Sequence, residues 1–247
     1  MTSSRDTVLG RVRQALGKTR ADPAALAEAQ AYIDAHARGP VPAFDADRVS
    51  RFIRRAGDME STVARVAERN DIPAAVAGYL SKLSTLSGLE PASSPGVGRS
   101  LRGVCWPEFA DLDWARSGLN VEVRPTIGDD LLGITGVFCA IAETGTLVVV
   151  AGGETPSATT LLPETHVAIV PASRIVDTME DAFALIRLEL GRVPRAINLI
   201  SGPSRTGDIE QTIVLGAHGP FRVHILVVDP GAASRSAAAL EKDQPPR

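Results

Sequence analysis

Short runs of apolar and β-branched residues recur through the second half of the chain and constrain its fold more than any other feature. They are Thr146–Ala151, Val167–Val170, Ala196–Ile200 and Val223–Val228. Continuous apolar runs of this length are typical of strands that are buried on both faces of a sheet. An amphipathic segment, Thr178–Leu190, lies between the second and third runs and predicts a helix. Strand, helix and strand in this order indicate a βαβ unit in a mainly parallel sheet.

The first third of the chain carries helical patterns. Asp22 and Pro23 are typical N-cap and first-turn residues, and they predict a helix over Ala24–Ala37. An earlier helix, which Gly17 can end, is predicted by apolar residues that recur with helical spacing: Val8, Leu9, Val12 and Leu16. We therefore expect residues 1–44 to form a helical N-terminal extension.

Helix and strand patterns alternate after this extension, which favours one α/β domain over residues 45–229 with a mainly parallel sheet flanked by helices. Residues 230–247 are small and polar, with two prolines near the end, and we expect a disordered tail. The helices expected in the middle of the chain are Asp47–Ala56, Ala74–Leu86 and Glu108–Arg116, and the strands are Ser61–Ala67, Leu101–Trp106 and Asn120–Arg124.

Composition excludes several classes of function. The net charge is −3, so no excess of positive charge indicates binding to nucleic acid or to an anionic membrane. No run of about 18 apolar residues could span a bilayer, and the first residues lack the apolar core of a signal peptide. The expected location is therefore cytoplasmic, where Cys105 and Cys139 would be free thiols. Two cysteines exclude an iron–sulfur cluster held by this chain alone, since one normally needs about four ligands.

The first polar segment lies within Thr135–Glu154, where apolar residues on both sides converge on Glu143, Thr144, Gly145 and Thr146. One interpretation is a hairpin turn in which Gly145 supplies a positive φ and Glu143 faces water. The other makes Glu143 an acid, base or nucleophile activated by partial burial, with the neighbouring residues binding a ligand. In open α/β sheets, ligands bind at the carboxyl ends of the strands, where we expect both polar segments to lie.

The second polar segment, Leu199–Pro220, follows the apolar run Ala196–Ile200. Glycines let backbone N–H groups approach an anion, hydroxyls donate further bonds, and an arginine adds a charged fork. Its composition therefore favours an anion site, although Thr206 or Asp208 could instead cap a following helix. The candidate ligand-binding residues here are Ser201, Gly202, Ser204, Arg205, Thr206 and Asp208.

Histidines and cysteines offer weaker candidates. His218 lies in a glycine-rich stretch beside the second polar segment, where an imidazole could act on a ligand, although a structural role is also open. His166 and His224 belong to apolar strand patterns, and we expect His224 to be structural. The spacing of the histidines matches no zinc motif, so no metal site is predicted. Cys105 and Cys139 are expected to be buried small apolar residues.

Three segments together resemble the LUD domain family, in the right order and with about its spacing: GITGVFCAIAETGTLVVV, LLPETHVAIVPASRIV and LISGPSRTGDIEQTIVLGAHGP. The resemblance covers roughly Asp47–Asp229. Ala217 stands where the family more often has Val, and Gly207 where Ala is usual. The resemblance implies a fold like that of the superfamily of ribose-5-phosphate isomerase, glucosamine-6-phosphate deaminase and CoA-transferase.

The resemblance also implies a role in a three-protein system that oxidises L-lactate to pyruvate. In that system the other two proteins carry iron–sulfur clusters, so this chain is expected to bind no cofactor and to be a non-redox subunit that binds an anionic ligand. Two alternatives stay open: a stand-alone enzyme acting on a phosphorylated sugar or a CoA thioester, and a metabolite-sensing module. A catalytic role for Glu143, by analogy with the glutamate nucleophile of CoA-transferases, rests on the fold alone.

Overall fold

The computed structural model describes residues 3–17, 22–44, 47–87, 102–206 and 214–231. The chain divides into two compact units, with the boundary between Ala43 and Phe44. Most of the expected C-terminal tail lies outside the described residues, as do Gly207 and Asp208.

The first unit contains two helices, as the capping pattern predicts. Helix α1 (Ser4–Ala15) begins after Ser3, whose hydroxyl accepts the Asp6 N–H. Helix α2 (Pro23–Ala35) begins after Asp22, whose carboxylate accepts the Ala24 N–H. It ends two residues earlier than predicted, because His36 adopts a left-handed conformation with φ 44°. Neither helix contains a buried residue.

The second unit alternates helices and strands, as the α/β pattern predicts, and contains further short elements that were not predicted. Its helices are α3 (Arg48–Asp58), α4 (Ile72–Ser87), α5 (Ala158–Leu161) and α6 (Met179–Leu190). Its strands are β1 (Thr62–Val66), β2 (Arg102–Cys105), β3 (Asn120–Val123), β4 (Leu132–Thr135), β5 (Cys139–Ile141), β6 (Thr146–Val150), β7 (Thr165–Pro171), β8 (Ile175–Val176), β9 (Ile197–Ile200), β10 (Arg205–Thr206), β11 (Val214–Leu215) and β12 (Arg222–Val228).

Six strands form a large sheet in the order β1-β12-β7-β4-β2-β3, and every pair of neighbours is parallel. The helices α4 and α5 contact this sheet, and α3 contacts both β1 and β8. Ile134, Val167 and Ile225 on the central strands are completely buried, which explains their continuous apolar runs. The predicted fold class, a mainly parallel sheet flanked by helices with an N-terminal helical extension, is confirmed.

A second, four-stranded sheet has the order β8-β5-β6-β9. Strand β9 pairs antiparallel with β6, whereas β7 belongs to the large sheet. The predicted βαβ unit of β7, α6 and β9 is therefore wrong, because its two strands enter different sheets. Helix α6 covers the small sheet with Ala182 and Ile186, which pack against apolar residues of β5 and β6. A strand pattern reports burial on two faces but does not say which sheet provides the neighbours.

Another correction concerns the helix predicted at Glu108–Arg116. Two short 3-10 turns, Pro107–Phe109 and Ala115–Ser117, replace it. Phe109 and Trp114 anchor this segment in the core, and the Trp114 indole N–H donates to the Phe109 carbonyl at 3.1 Å. Among the described residues, no helix is both long and apolar enough to cross a membrane.

Candidate functional site

The first polar segment is a tight turn between β5 and β6, as the hairpin interpretation predicts. These strands pair antiparallel, and the Gly145 N–H donates to the Ile141 carbonyl at 2.9 Å. Gly145 has a φ of +69°, which a glycine adopts without strain. Glu143 is half-buried, and its backbone N–H donates to the Asp177 carbonyl at 3.0 Å. The residue is therefore neither fully buried nor fully exposed, and a functional role for its carboxylate stays a prediction.

Three hydroxyls from the two polar segments form a chain of hydrogen bonds, which we call the hydroxyl cluster: Thr144, Thr146 and Ser201. The Thr146 Oγ1 lies 2.7 Å from the Thr144 Oγ1 and 2.7 Å from the Ser201 Oγ. Pairing of β6 with β9 sets this arrangement, because Leu147 lies opposite Ile200 and places the preceding Thr146 beside Ser201. Thr146 is buried, whereas Thr144 and Ser201 are exposed at the two ends.

Two glycines dock both polar segments onto the end of α3. A Cβ at Gly145 would overlap the backbone of Arg55 and Ala56, and a Cβ at Gly202 would overlap the Met59 carbonyl oxygen. Gly202 also has a positive φ of +82°. Glycine is required at both positions for close approach as well as for conformation. The two predicted ligand-binding glycines thus have a packing role.

Arg205 holds the second segment against the same helix end. Its guanidinium donates to the Met59 carbonyl at 3.2 Å and pairs with the Glu60 carboxylate at 2.9 Å. The last carbonyls of a helix carry partial negative charge, which an arginine offsets. The guanidinium is therefore already engaged by a carboxylate and a helix end. Ser61, next in the chain, is buried, and its hydroxyl lacks a partner among the described residues.

The remaining candidates of the second segment lie in or beside the short antiparallel ladder of β10 and β11, except Asp208. Ser204 accepts the backbone N–H of His218 at 3.3 Å, and its own N–H donates to the Pro220 carbonyl at 2.9 Å. His218 is exposed. Thr206 lies in β10, and the residues after it, where a capped helix could begin, fall outside the described residues. Asp208 falls outside the described residues.

The position of this site relative to the large sheet corrects one expectation. Gly202 contacts Met59, which precedes β1, and Ser204 bonds to Pro220, which precedes β12. The second segment therefore lies at the amino ends of these parallel strands and not at their carboxyl ends. It still follows the carboxyl end of β9, which runs antiparallel in the small sheet.

The hydroxyl cluster has donor capacity to spare. Its three hydroxyls carry three protons, and the two internal hydrogen bonds use two of them, so one O–H remains for an external acceptor. Hydroxyls in a chain polarise one another, which strengthens the terminal donor. Glu143 supplies an acceptor in the same turn. The arrangement can therefore bind a group with an acceptor and a donor close together, such as an α-hydroxy carboxylate.

A family model described as the LUD domain matches residues 49–228. The chain belongs to the LUD domain family. All three quoted segments, and with them the hydroxyl cluster, lie inside the matched region. The predicted resemblance is therefore confirmed.

Curated relatives of this LUD domain carry the name lactate utilization protein C. The chain is 41% identical over 100 residues to the protein from Geobacillus kaustophilus, 38% over 128 residues to that from Bacillus licheniformis and 42% over 102 residues to that from Bacillus subtilis. These alignments cover 39%, 47% and 40% of this chain and 42%, 53% and 42% of the relatives, respectively. The match thus spans about half the length of these relatives.

A solved structure is also similar: a DUF162 family protein from Deinococcus radiodurans, 23% identical, with a TM-score of 0.48. The comparison covers 76% of this chain and 99% of that protein.

Two histidines of the LUD domain are buried, and each bonds to a threonine hydroxyl. The His166 Nε2 lies 2.8 Å from the Thr135 Oγ1, and the His224 Nδ1 lies 2.8 Å from the Thr62 Oγ1. The second nitrogen of each ring has no partner among the described residues. Burial lowers the pKa of each from 6.5 to about 4, so both rings are neutral near pH 7.

The contact of both polar segments with the end of α3 was missed. Met59 acts there through its carbonyl oxygen, a group that every residue has. No sequence signal could therefore have marked it.

Both cysteines are buried, as predicted. Burial raises the pKa of Cys105 and of Cys139 to about 11, so neither is an activated nucleophile. Within the described ranges, no group of three or more His, Cys, Asp or Glu side chains could hold a metal ion.

Proposed function

We propose that this chain is a lactate utilization protein C-like component of a system that oxidises L-lactate to pyruvate. Membership of the LUD family and about 40% identity to curated relatives with that name support the process. In this proposal the chain is a non-redox subunit, and the partners are iron–sulfur proteins of the same system.

The ligand we propose is a small carboxylate, either L-lactate or pyruvate, bound at the hydroxyl cluster. The observation that carries this assignment is the Thr146–Ser201 hydrogen bond, which joins the two family motifs and leaves one O–H uncommitted. A carboxylate oxygen would accept that O–H, and the α-hydroxyl of L-lactate would donate to Glu143. The other candidate ligand-binding residues flank the cluster: Gly145, Gly202, Ser204, Arg205, Thr206 and Asp208.

The oxidation of L-lactate removes two electrons and two protons. We propose that this chain accepts the protons and that partner proteins accept the electrons. Glu143 is the proposed acceptor of the α-hydroxyl proton, because it is the carboxylate in the same turn as Thr144 and Thr146. The second proton is released as the Cα–H bond breaks, and we assign it to His218, which is exposed beside Ser204. The electrons are assigned to the iron–sulfur partners.

Calorimetric titration of the purified chain with L-lactate and with pyruvate tests the site. Thr146→Val is nearly isosteric and removes the hydroxyl that positions and polarises the other two, so we expect binding to weaken by about tenfold or more, as is typical for a hydrogen bond to a charged group. Thr155→Val is the matched control, because that hydroxyl bonds to the Val150 carbonyl elsewhere. Equal binding by the wild type and Thr146→Val would refute the assignment of the site.

Growth on L-lactate tests whether the chain takes part in L-lactate oxidation. A strain that lacks the gene should lose growth on L-lactate, and the wild-type chain should restore it while Glu143→Gln should not. Affinity purification from lactate-grown cells should recover iron–sulfur proteins with the chain. Turnover of a phosphorylated sugar or CoA thioester by the isolated chain would instead identify a stand-alone enzyme. Binding of lactate with normal growth of the deletion strain would identify a sensing module.

A further inference from the structure

Strand β9 is an edge of the small sheet, and no other described strand pairs with its outer side. The Ala151 N–H donates to the Ala196 carbonyl, so Ala196 bonds to β6. Because hydrogen-bonded positions alternate along an antiparallel pair, the backbone groups of Asn198 and Ile200 also face β6. The N–H and C=O groups of Ile197 and Leu199 therefore point away from the sheet. In the described parts of the chain, none of these four groups bonds to another backbone group.

This edge lacks the features that normally protect edge strands. Proteins block exposed edges with charged residues, prolines, bulges or very short strands. Among the other edges, β1 contains Arg65, β3 contains Glu122 and β8 has two residues. Strand β9 has the sequence Ile-Asn-Leu-Ile, and its Leu199 side chain is 44% exposed. An unprotected apolar edge of this kind is a template for pairing.

We infer that β9 pairs with β9 of a second copy of this chain, antiparallel about a twofold axis at Asn198. In this register Ile197 lies opposite Leu199 of the second copy, and each pair exchanges two backbone hydrogen bonds. All the outward-facing groups of β9 are then satisfied. The strand can pair with itself, because Ile197 and Leu199, whose backbone groups point away from the sheet, lie symmetrically on either side of Asn198. A second copy of the chain therefore fits this edge without any other partner.

The same register completes the hydroxyl cluster with a cation. Arg195 of the second copy and Ser201 lie just outside the paired strands, three residues from Asn198 on either side, so this register brings them to the same end of the interface. Arg205 is already paired with Glu60, so its charge is committed within the chain. Arg195 of the second copy would supply the charge that a carboxylate needs, a role that rests on the proposed function.

Sedimentation velocity of the full chain tests the pairing directly. We expect a species of twice the 25.9 kDa chain mass. Leu199→Lys places a charge on the edge and should give a monomer with an unchanged circular dichroism spectrum. Leu188→Lys, at a leucine of α6 that is 81% exposed, should remain dimeric. A wild type that is monomeric across a dilution series, or a dimeric Leu199→Lys, would overturn the inference.

Crosslinking tests the register. Asn198 faces itself across the axis at a non-hydrogen-bonded position, where Cβ atoms come within the range of a disulfide bond. Asn198→Cys should therefore form a covalent dimer under mild oxidation, and Leu199→Cys should form far less. The native Cys105 and Cys139 are buried and do not compete. Preferential crosslinking of Leu199→Cys would contradict this register and the placement of Arg195.

Titration with pyruvate separates this inference from the proposed function. Arg195→Ala should remain dimeric and bind pyruvate at least tenfold more weakly, and Leu199→Lys should lose both properties. A wild type that dimerises but binds neither pyruvate nor L-lactate would refute the proposed function and leave the edge pairing intact. A wild type that is monomeric but binds pyruvate or L-lactate fully would refute the edge pairing and leave the proposed function intact.

Discussion

Mild acid should destabilise the protein through two buried histidines. His166 is completely buried and His224 is 4% exposed, and burial lowers the pKa of each from 6.5 to about 4. Between these values the unfolded chain binds protons that the folded protein does not. The free energy of unfolding therefore falls as the pH drops below 6.5, and the loss is complete below about pH 4.

The size of this effect follows from the pKa shift. One pKa unit corresponds to about 1.4 kcal/mol, so at pH 5 each histidine lowers the free energy of unfolding by about 2 kcal/mol relative to pH 7. The pair gives about 4 kcal/mol, a large part of the roughly 5–15 kcal/mol that stabilises a typical protein. Urea unfolding followed by circular dichroism at pH 7, 6 and 5 measures this loss.

Variants isolate the histidines from the other groups that titrate. His166→Gln and His224→Gln should each remove about half of the loss between pH 7 and pH 5, and the double variant should remove most of it. Glu108, whose pKa burial raises, acts in the opposite direction but is present in every protein compared. An identical pH dependence in the wild type and the double variant would refute the reasoning.

Three further predictions concern the packing of the domain. Gly145→Ala should lower the free energy of unfolding by about 2–4 kcal/mol in urea, from the left-handed backbone and the overlap with α3, whereas Gly153→Ala, with open space around it, should change little. Thr146→Val should cost about 1–2 kcal/mol in the same assay, because it breaks both bonds of the hydroxyl cluster; unchanged stability would show that the bonds add nothing. Cys105 and Cys139 should react with a thiol reagent at pH 8 about 100-fold more slowly in the folded protein than in urea, because burial suppresses their thiolates; equal rates would contradict their burial.

Much of the fold could be predicted because burial leaves a clear pattern. The apolar runs of β6, β7, β9 and β12 match the observed strands to within two residues at each end. The assignment of β9 to the small sheet could not be predicted, since pairing depends on residues far apart in sequence. The helix expected over Glu108–Arg116 failed because two buried aromatic side chains hold the segment in short turns.

The sequence could predict which residues belong to the candidate site, but not how they contact one another. Glycines and hydroxyls at Gly145, Thr146, Ser201 and Gly202 were evident from the sequence. Their junction through the Thr146–Ser201 bond depends on the register of β6 with β9, which no local pattern encodes. Docking on Met59 depends on a backbone carbonyl, which has no sequence signature.

The glycine contacts with α3 have a mechanical consequence. The start of this helix is tied to Asp177 by Arg48 and Arg51, and its last turn carries the two loops through Gly145 and Gly202. Neither loop can move away without exposing the same turn of helix. A ligand that displaced one loop would uncover the helix end on which the other loop is packed. We therefore expect the two loops to move together when a ligand binds.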